Sequence, residues 1–71
     1  MWVIYHQNDT MMEPDQRHRY DCPEKATAVL SRLAEIVQHA DRPVVWNGPM
    51  NFTYRSKYNS YQIHYWIQKV S

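Results

Sequence analysis

The segment from Asp21 to Ala40 has the clearest hydrophobic periodicity in the chain. Its apolar residues recur at spacings of three and four, which places them on one side of an α-helix: Ala26, Val29, Leu30, Leu33, Ile36, Val37 and Ala40. Asp21 is the predicted N-cap, Glu24 completes a capping-box pattern with it, and Pro23 suits the first turn. We therefore predict an amphipathic helix that ends before Pro43 and packs its apolar side against a partner surface.

The segment before this helix contains one clear strand and one less regular stretch. The run from Trp2 to Gln7 is aromatic and β-branched and carries apolar side chains on both faces, which favours a central position in a sheet. Residues 11–16 show no clear period and include Pro14, so we predict a loop there. Residues 17–20 are candidates for a short returning strand, and the sequence leaves that question open.

Further strands are predicted after the helix. Val44 to Trp46 is a short apolar run followed by a turn signal, in which Gly48 is predicted to adopt a positive φ angle. Residues 52–56 and 61–70 alternate between two kinds of side chain, and the short stretch between them suits a hairpin loop. The second of these runs places Tyr61, Ile63, Tyr65 and Ile67 on one face and Gln62, His64, Trp66 and Gln68 on the other.

The order of these elements predicts a small α+β fold, with residues 1–71 forming a single domain. We expect an antiparallel sheet of roughly three to five strands with the helix packed on one face, in the order β(β)αβββ. A chain of this length is near the lower limit for burying an adequate core. A homodimer is therefore an alternative to a stable monomer.

Charge and cysteine content narrow the classes of function only slightly. The net charge of +1 and the pI of 7.9 are a weaker basic excess than dedicated nucleic-acid binders usually have. The single cysteine, Cys22, excludes an intramolecular disulfide and favours a reducing compartment. The N-terminus does not have the pattern of a signal peptide, and no apolar run approaches the ~20 residues needed to span a bilayer. We therefore expect a soluble, cytoplasmic protein with no membrane contact.

No pattern of residues indicates catalysis or metal binding. The four histidines, His6, His18, His39 and His64, do not have the spacing of a zinc motif, and we predict neither a metal nor a cofactor. Cys22 lies at the start of the helix, where a thiol can act as a nucleophile, but no catalytic motif surrounds it. The acidic pairs Glu13 with Asp15 and Asp21 with Glu24 are explained by loop solvation and by helix capping. We predict that the protein is not an enzyme.

The polar face of the last two strands is the best candidate for a contact surface. If the helix covers the face of Ile63, the opposite face carries Thr53, Arg55, Gln62, His64, Trp66 and Gln68. A tryptophan among hydrogen-bonding and cationic groups suits protein recognition, because its ring provides contact area at low entropic cost. We predict a non-enzymatic binding module that occupies a surface of a larger protein. Inhibitors, adaptors and phage-encoded antagonists belong to this class of small accessory protein.

The alternative from another class is an RNA, single-stranded DNA or nucleotide binder. In that case Trp66, Tyr54 and His64 stack on bases, and the phosphates contact Arg17, Arg19, Arg55 and Lys57. Salt separates the two hypotheses, because phosphate contacts weaken steeply as salt rises, whereas a largely apolar protein contact changes little. In a third interpretation Trp66 only covers a neighbouring strand or is covered by a loop. A homodimer would also use this face and leave it unavailable to another partner.

Overall fold

Helix α1 spans Pro23–Ala40 and lies across one face of a five-stranded antiparallel sheet. The structure is a computed structural model in which residues 1–70 are described. The buried residues of α1, namely Ala26, Leu30 and Ala34, recur every four positions and form a single stripe toward the sheet. The predicted α+β fold with one helix on one face is confirmed.

The first and the last strand along the chain are neighbours in the interior of the sheet. Its strands are β1 (Trp2–Asn8), β2 (Asp15–Tyr20), β3 (Val45–Gly48), β4 (Asn51–Arg55) and β5 (Gln62–Lys69). Their spatial order is β2-β1-β5-β4-β3, and every neighbouring pair is antiparallel. β1 is therefore an interior strand, as its two apolar faces predicted. Residues 15–20 do form a returning strand, with a register shift at Arg17.

The hydrophobic core lies between α1 and the sheet. Ile4, Phe52 and Ile67, from three different strands, pack with Leu30 of the helix. Ile4 is paired with Ile67 across the β1–β5 ladder, and Phe52 is paired with Tyr65 across the β4–β5 ladder. Because side chains alternate along a strand, this register fixes which residues lie on the face away from the helix.

Asp41, directly after α1, ties the end of the helix to the loop between β4 and β5. One carboxylate oxygen accepts a hydrogen bond from the Ser56 hydroxyl, and the other accepts one from the backbone N–H of Lys57, both at 2.7 Å. The Tyr58 hydroxyl donates to the Ala40 carbonyl oxygen at 2.6 Å. These bonds fix the orientation of the helix over the sheet and hold the hairpin that carries the start of β5.

Asp21 was predicted to be the N-cap of the helix, and this prediction is wrong. Cys22 is the N-cap, and no side chain makes a capping hydrogen bond there. The Asp21 carboxylate instead accepts a hydrogen bond from Lys25 Nζ at 3.1 Å, which lowers the pKa of Asp21. The reason is that β2 continues to Tyr20 and the helix begins at Pro23, so Asp21 lies one position too early to cap it.

The prediction of a positive φ angle at Gly48 is also wrong. Gly48 is the last residue of β3 and has no positive φ, and the turn falls on Pro49 and Met50. Ser60, in the loop before β5, has a positive φ of 63° instead. The Asn-Gly-Pro signal therefore marked the turn correctly, but no residue of this turn adopts a positive φ.

Replacing Gly48 with alanine should be tolerated. An added Cβ would lie 3.4 Å from Asn51 Nδ2, the end of a flexible side chain. Because alanine restricts the unfolded chain, we expect Gly48→Ala to change the free energy of unfolding by between zero and about +1 kcal/mol. Urea denaturation measures this change. A loss of more than about 1 kcal/mol would mean that position 48 requires a glycine conformation after all.

Candidate functional site

The face of the sheet opposite the helix, called the open face below, is formed by alternate residues of all five strands. They are Val3, Tyr5 and Gln7 of β1, Gln16 and Arg19 of β2, Val45 and Asn47 of β3, Asn51, Thr53 and Arg55 of β4, and Gln62, His64, Trp66 and Gln68 of β5. The structure thus brings the six residues of the predicted partner surface onto one face. Arg55 is opposite Gln62, and Thr53 is opposite His64.

Three aromatic rings form a column at the centre of the open face. The Tyr5 ring stacks on the Trp66 ring with centroids 5.5 Å apart and planes 17° apart. The His64 ring lies 4.7 Å from the Trp66 ring and is tilted by 33° to it. All three side chains are half-buried, because each ring covers part of its neighbour. The column therefore offers a preformed aromatic contact area in which the Trp66 ring contacts both of the others.

Tyr5 was not among the residues that the sequence proposed for this surface. It is opposite Trp66 only because β1 and β5, which are more than fifty residues apart in sequence, are neighbours in the sheet. Val3 is a second unexpected residue, since it is fully buried although it lies on the open face, between Arg19 and Gln68 in the register. Val3 is therefore covered by its surroundings, while Arg19 and Gln68 in the same row are exposed.

The hydrogen bonds of the polar side chains hold the edges of the open face in place. Asn47 Nδ2 donates to Thr53 Oγ1 at 3.3 Å, which links β3 to β4. Trp66 Nε1 approaches Gln68 Oε1 at 3.4 Å, so the indole N–H already has an acceptor within the face. The column is thus surrounded by amide and hydroxyl groups, which is the arrangement of an apolar contact centre with a polar rim.

The residues proposed for nucleic-acid contact are not brought together. Tyr54 is opposite Ile63 and packs against the core on the helix side, where burial, with smaller effects of Tyr65 and Asp41, raises its pKa to about 12. Its ring therefore shares no surface with Trp66 or His64. Arg17 lies at the register shift of β2 and approaches Asp15 at 3.9 Å, while Lys57 lies in the loop after β4, with its Nζ over the Tyr58 ring. Of the four cations proposed, only Arg19 and Arg55 are on the open face.

Two histidines on opposite faces of the sheet each have a buried ring nitrogen without a hydrogen-bond partner. They are Nε2 of His64 on the open face and Nδ1 of His6 on the helix side, where His6 contacts the Tyr65 ring at 4.9 Å. Burial lowers the pKa of His64. Burial also lowers the pKa of His6, with a further lowering by Arg17 and a partial opposition by Asp15. Burial therefore disfavours the protonated form of both imidazoles.

The protein should lose stability in mild acid because of these two histidines. An unfolded chain protonates them near their ordinary pKa of 6.5, whereas the folded chain resists protonation, so below this pH the unfolded state binds more protons. The free energy of unfolding is expected to be largest above about pH 6.5 and to fall as the pH drops toward the folded-state pKa values. Urea denaturation at a series of pH values measures this slope.

Single substitutions assign the acid sensitivity to residues. His6→Gln and His64→Gln should each reduce the slope. A slope that is the same in both variants and in the unsubstituted protein would contradict the assignment.

The remaining features of the described chain add no second site of clear chemistry. Within residues 1–70, no three His, Cys, Asp or Glu side chains are grouped so that they could hold a metal ion. Two open grooves of about 510 and 500 Å³ lie along α1, one beside Ile36 and His39 and the other between Thr27 and Met50. Over the same residues, the structure contains no helix with the length and apolar character needed to cross a membrane.

Comparisons of the chain with models of protein families, with curated protein sequences and with solved structures found no match.

Proposed function

We propose that this chain is a non-enzymatic protein-binding module that occupies a surface of a larger protein with its open face, as an inhibitor, antagonist or adaptor. The observation that carries the proposal is the column of Tyr5, Trp66 and His64 within a rim of amides. Aromatic anchors in the centre of a polar rim are the typical anatomy of residues that dominate protein–protein affinity. Because the three rings already pack against one another, their side chains lose little conformational entropy when a partner binds.

Protein recognition explains the column better than base stacking does. A base binds an aromatic side chain through an exposed ring face. Here the Tyr5 and Trp66 rings stack on each other and the tilted His64 ring lies 4.7 Å from Trp66, so the indole already contacts two rings. A base that stacks on Trp66 would have to compete with these two contacts, whereas a protein surface can pack on the column as it stands.

Catalysis has less support than binding. A general base acts through a group within hydrogen-bond reach. His64 is the one histidine that the register puts on the open face, and its buried Nε2 has no hydrogen-bond partner among the described residues.

We also propose the cytoplasm as the location of the protein, since its single cysteine fits a reducing compartment.

The proposal is tested by capturing a partner from a lysate of the source cells with the tagged chain. The capture is run at low and high salt, with and without nuclease, and light scattering of the purified chain gives its oligomeric state. We expect one protein to be retained after nuclease treatment. Loss of all bound material with nuclease would favour nucleic acid. A tight dimer that captures nothing would mean that the open face serves self-association.

A further inference from the structure

Charged residues are distributed unequally between the two sides of this protein. The chain has seven Asp and Glu residues. None of the strand residues on the open face is acidic, in any of the five strands that the structure describes. Arg19 and Arg55 do lie on this face, and both are exposed. The open face is therefore the cationic side of a chain whose net charge is only +1.

These two arginines differ from Lys25 and Arg17 in their partners. Lys25 pairs with Asp21 at 3.1 Å, and Arg17 approaches Asp15 at 3.9 Å. Arg19 donates to the side-chain oxygen of Gln16 at 3.3 Å, and Arg55 donates to the carbonyl oxygen of Ser60. Both acceptors are neutral, and a guanidinium carries five N–H donors. Each arginine therefore keeps its full charge and several donors for an external acceptor.

The two arginines occupy opposite corners of the open face, with the aromatic column between them. Arg19 is in the row of Val3 and Gln68, while Arg55 is in the row of Gln62. The two arginines are therefore level with opposite ends of β5. Six residues along a strand span about 20 Å and three strand spacings span about 14 Å, which separates the two positions by roughly 25 Å. This is the width of a standard protein–protein interface, which covers about 800 Å² on each partner.

We infer that the open face binds an acidic protein surface, with carboxylates of the partner on Arg19 and Arg55 and an apolar patch of the partner on the column of Tyr5, Trp66 and His64. The inference rests on the proposed function and adds the chemistry of the partner. Arginine binds carboxylates through two parallel hydrogen bonds, so the two corners also fix the orientation of the partner. None of the strand residues on this face is acidic, so none of them repels such a surface.

A nucleic acid fits this arrangement less well. A phosphate backbone presents a continuous line of charge and is bound by a row of cations. The open face has two arginines that are separated by the aromatic column, and Arg17 and Lys57 lie elsewhere. A protein with two separate acidic patches matches the positions of the charges directly.

A displayed library of random twelve-residue peptides tests the inference without knowledge of the natural partner. Such a peptide reaches about 40 Å when extended, which is enough to span both corners. We expect the purified chain to select peptides that combine Asp and Glu with a central apolar segment. Selection of neutral or basic peptides would overturn the inference but not the proposed function. Failure to select any peptide would count against both.

Charge reversal gives the quantitative arm of this test. Binding of a selected peptide is expected to be about tenfold to hundredfold weaker in the double variant Arg19→Glu, Arg55→Glu, because two ion pairs are replaced by two repulsions. The pair Arg19→Gln, Arg55→Gln removes the charges without repulsion and should show a smaller loss. The matched control is Arg32→Glu, Arg42→Glu, which changes the net charge equally at positions outside the sheet and should bind normally. Circular dichroism verifies that each variant is folded.

Two further results separate local contacts on the open face from a general charge effect and from nucleic-acid binding. If the control pair weakens binding as much as the open-face pair, a general charge effect accounts for the loss and the inference fails. A labelled single-stranded DNA or RNA of twenty nucleotides is measured at the same ionic strength. If the oligonucleotide binds more tightly than the selected peptide, and loses affinity in the open-face variant, the acidic ligand is a nucleic acid and the inference is overturned.

Discussion

The variant Phe52→Ala is expected to lose about 3–5 kcal/mol of unfolding free energy. Phe52 is fully buried and is among the largest of the fully buried side chains. Its ring stacks on Tyr65 at 5.1 Å and contacts Trp46 at 5.1 Å, so it connects β4 with strands on both sides. Removal of the ring leaves a cavity that the surrounding sheet can fill only in part.

The consequence for so small a protein is severe. Domains have roughly 0.05–0.15 kcal/mol of stability per residue, which is about 4–11 kcal/mol for a chain of this length. Urea denaturation followed by circular dichroism should therefore show a large shift of the midpoint, or a chain that is partly unfolded in buffer. Met12→Ala is the matched control, since Met12 is 98% exposed and its truncation removes no packing. A loss below about 1 kcal/mol for Phe52→Ala would contradict the core described above.

Truncation of Trp66 is expected to weaken binding to the captured partner by about 2 kcal/mol or more, which is roughly thirtyfold in affinity. The indole contacts both other rings of the column. Its loss therefore removes contact area for the partner and also leaves Tyr5 and His64 without their common neighbour. The fold should persist, because Trp66 is half-buried and lies outside the core between helix and sheet.

The chain offers a second tryptophan as a control for this prediction. Trp46 is 41% exposed, and its ring contacts Phe52 on the helix side of the sheet. Trp46→Ala therefore removes the same kind of side chain without touching the open face, and the affinity for the partner should change by less than about threefold, or about 0.6 kcal/mol. Calorimetric titration of both variants measures the difference. Equal losses in the two variants, or no loss in Trp66→Ala, would mean that the column is not the contact.

The sequence predicted those parts of the fold that depend on local periodicity. The helix was recognisable because Ala26, Leu30 and Ala34 belong to one stripe, and β5 was recognisable because Ile63 and Ile67 alternate with polar residues. β2 was harder to identify, since five of its six residues are exposed and its sequence has no apolar alternation. Such an edge strand is specified by its pairing with β1, which no local pattern encodes.

The candidate site was predictable in part for the same reason. Alternation within β5 put His64, Trp66 and Gln68 together, and the register has kept them on one face. The contact of Tyr5 with Trp66 depends on the pairing of the two ends of the chain and could not be read from either strand alone. Tyr54 was wrongly placed beside Trp66 and His64. Alternation divides β4 into two faces, but only the register with β5 shows which of these faces is on the same side of the sheet as Trp66.

Site-specific photo-crosslinking tests the central claim, that the open face contacts a protein, most directly. A photoreactive benzoylphenylalanine replaces Gln68 on the open face in one variant and Gln38 on α1 in the other, both of them exposed glutamines. Irradiation in the source cells should attach a larger protein at position 68, with a product that resists nuclease and is degraded by protease, and should attach none at position 38. Crosslinking at position 38 but not at 68, or a product that nuclease removes, would contradict the claim.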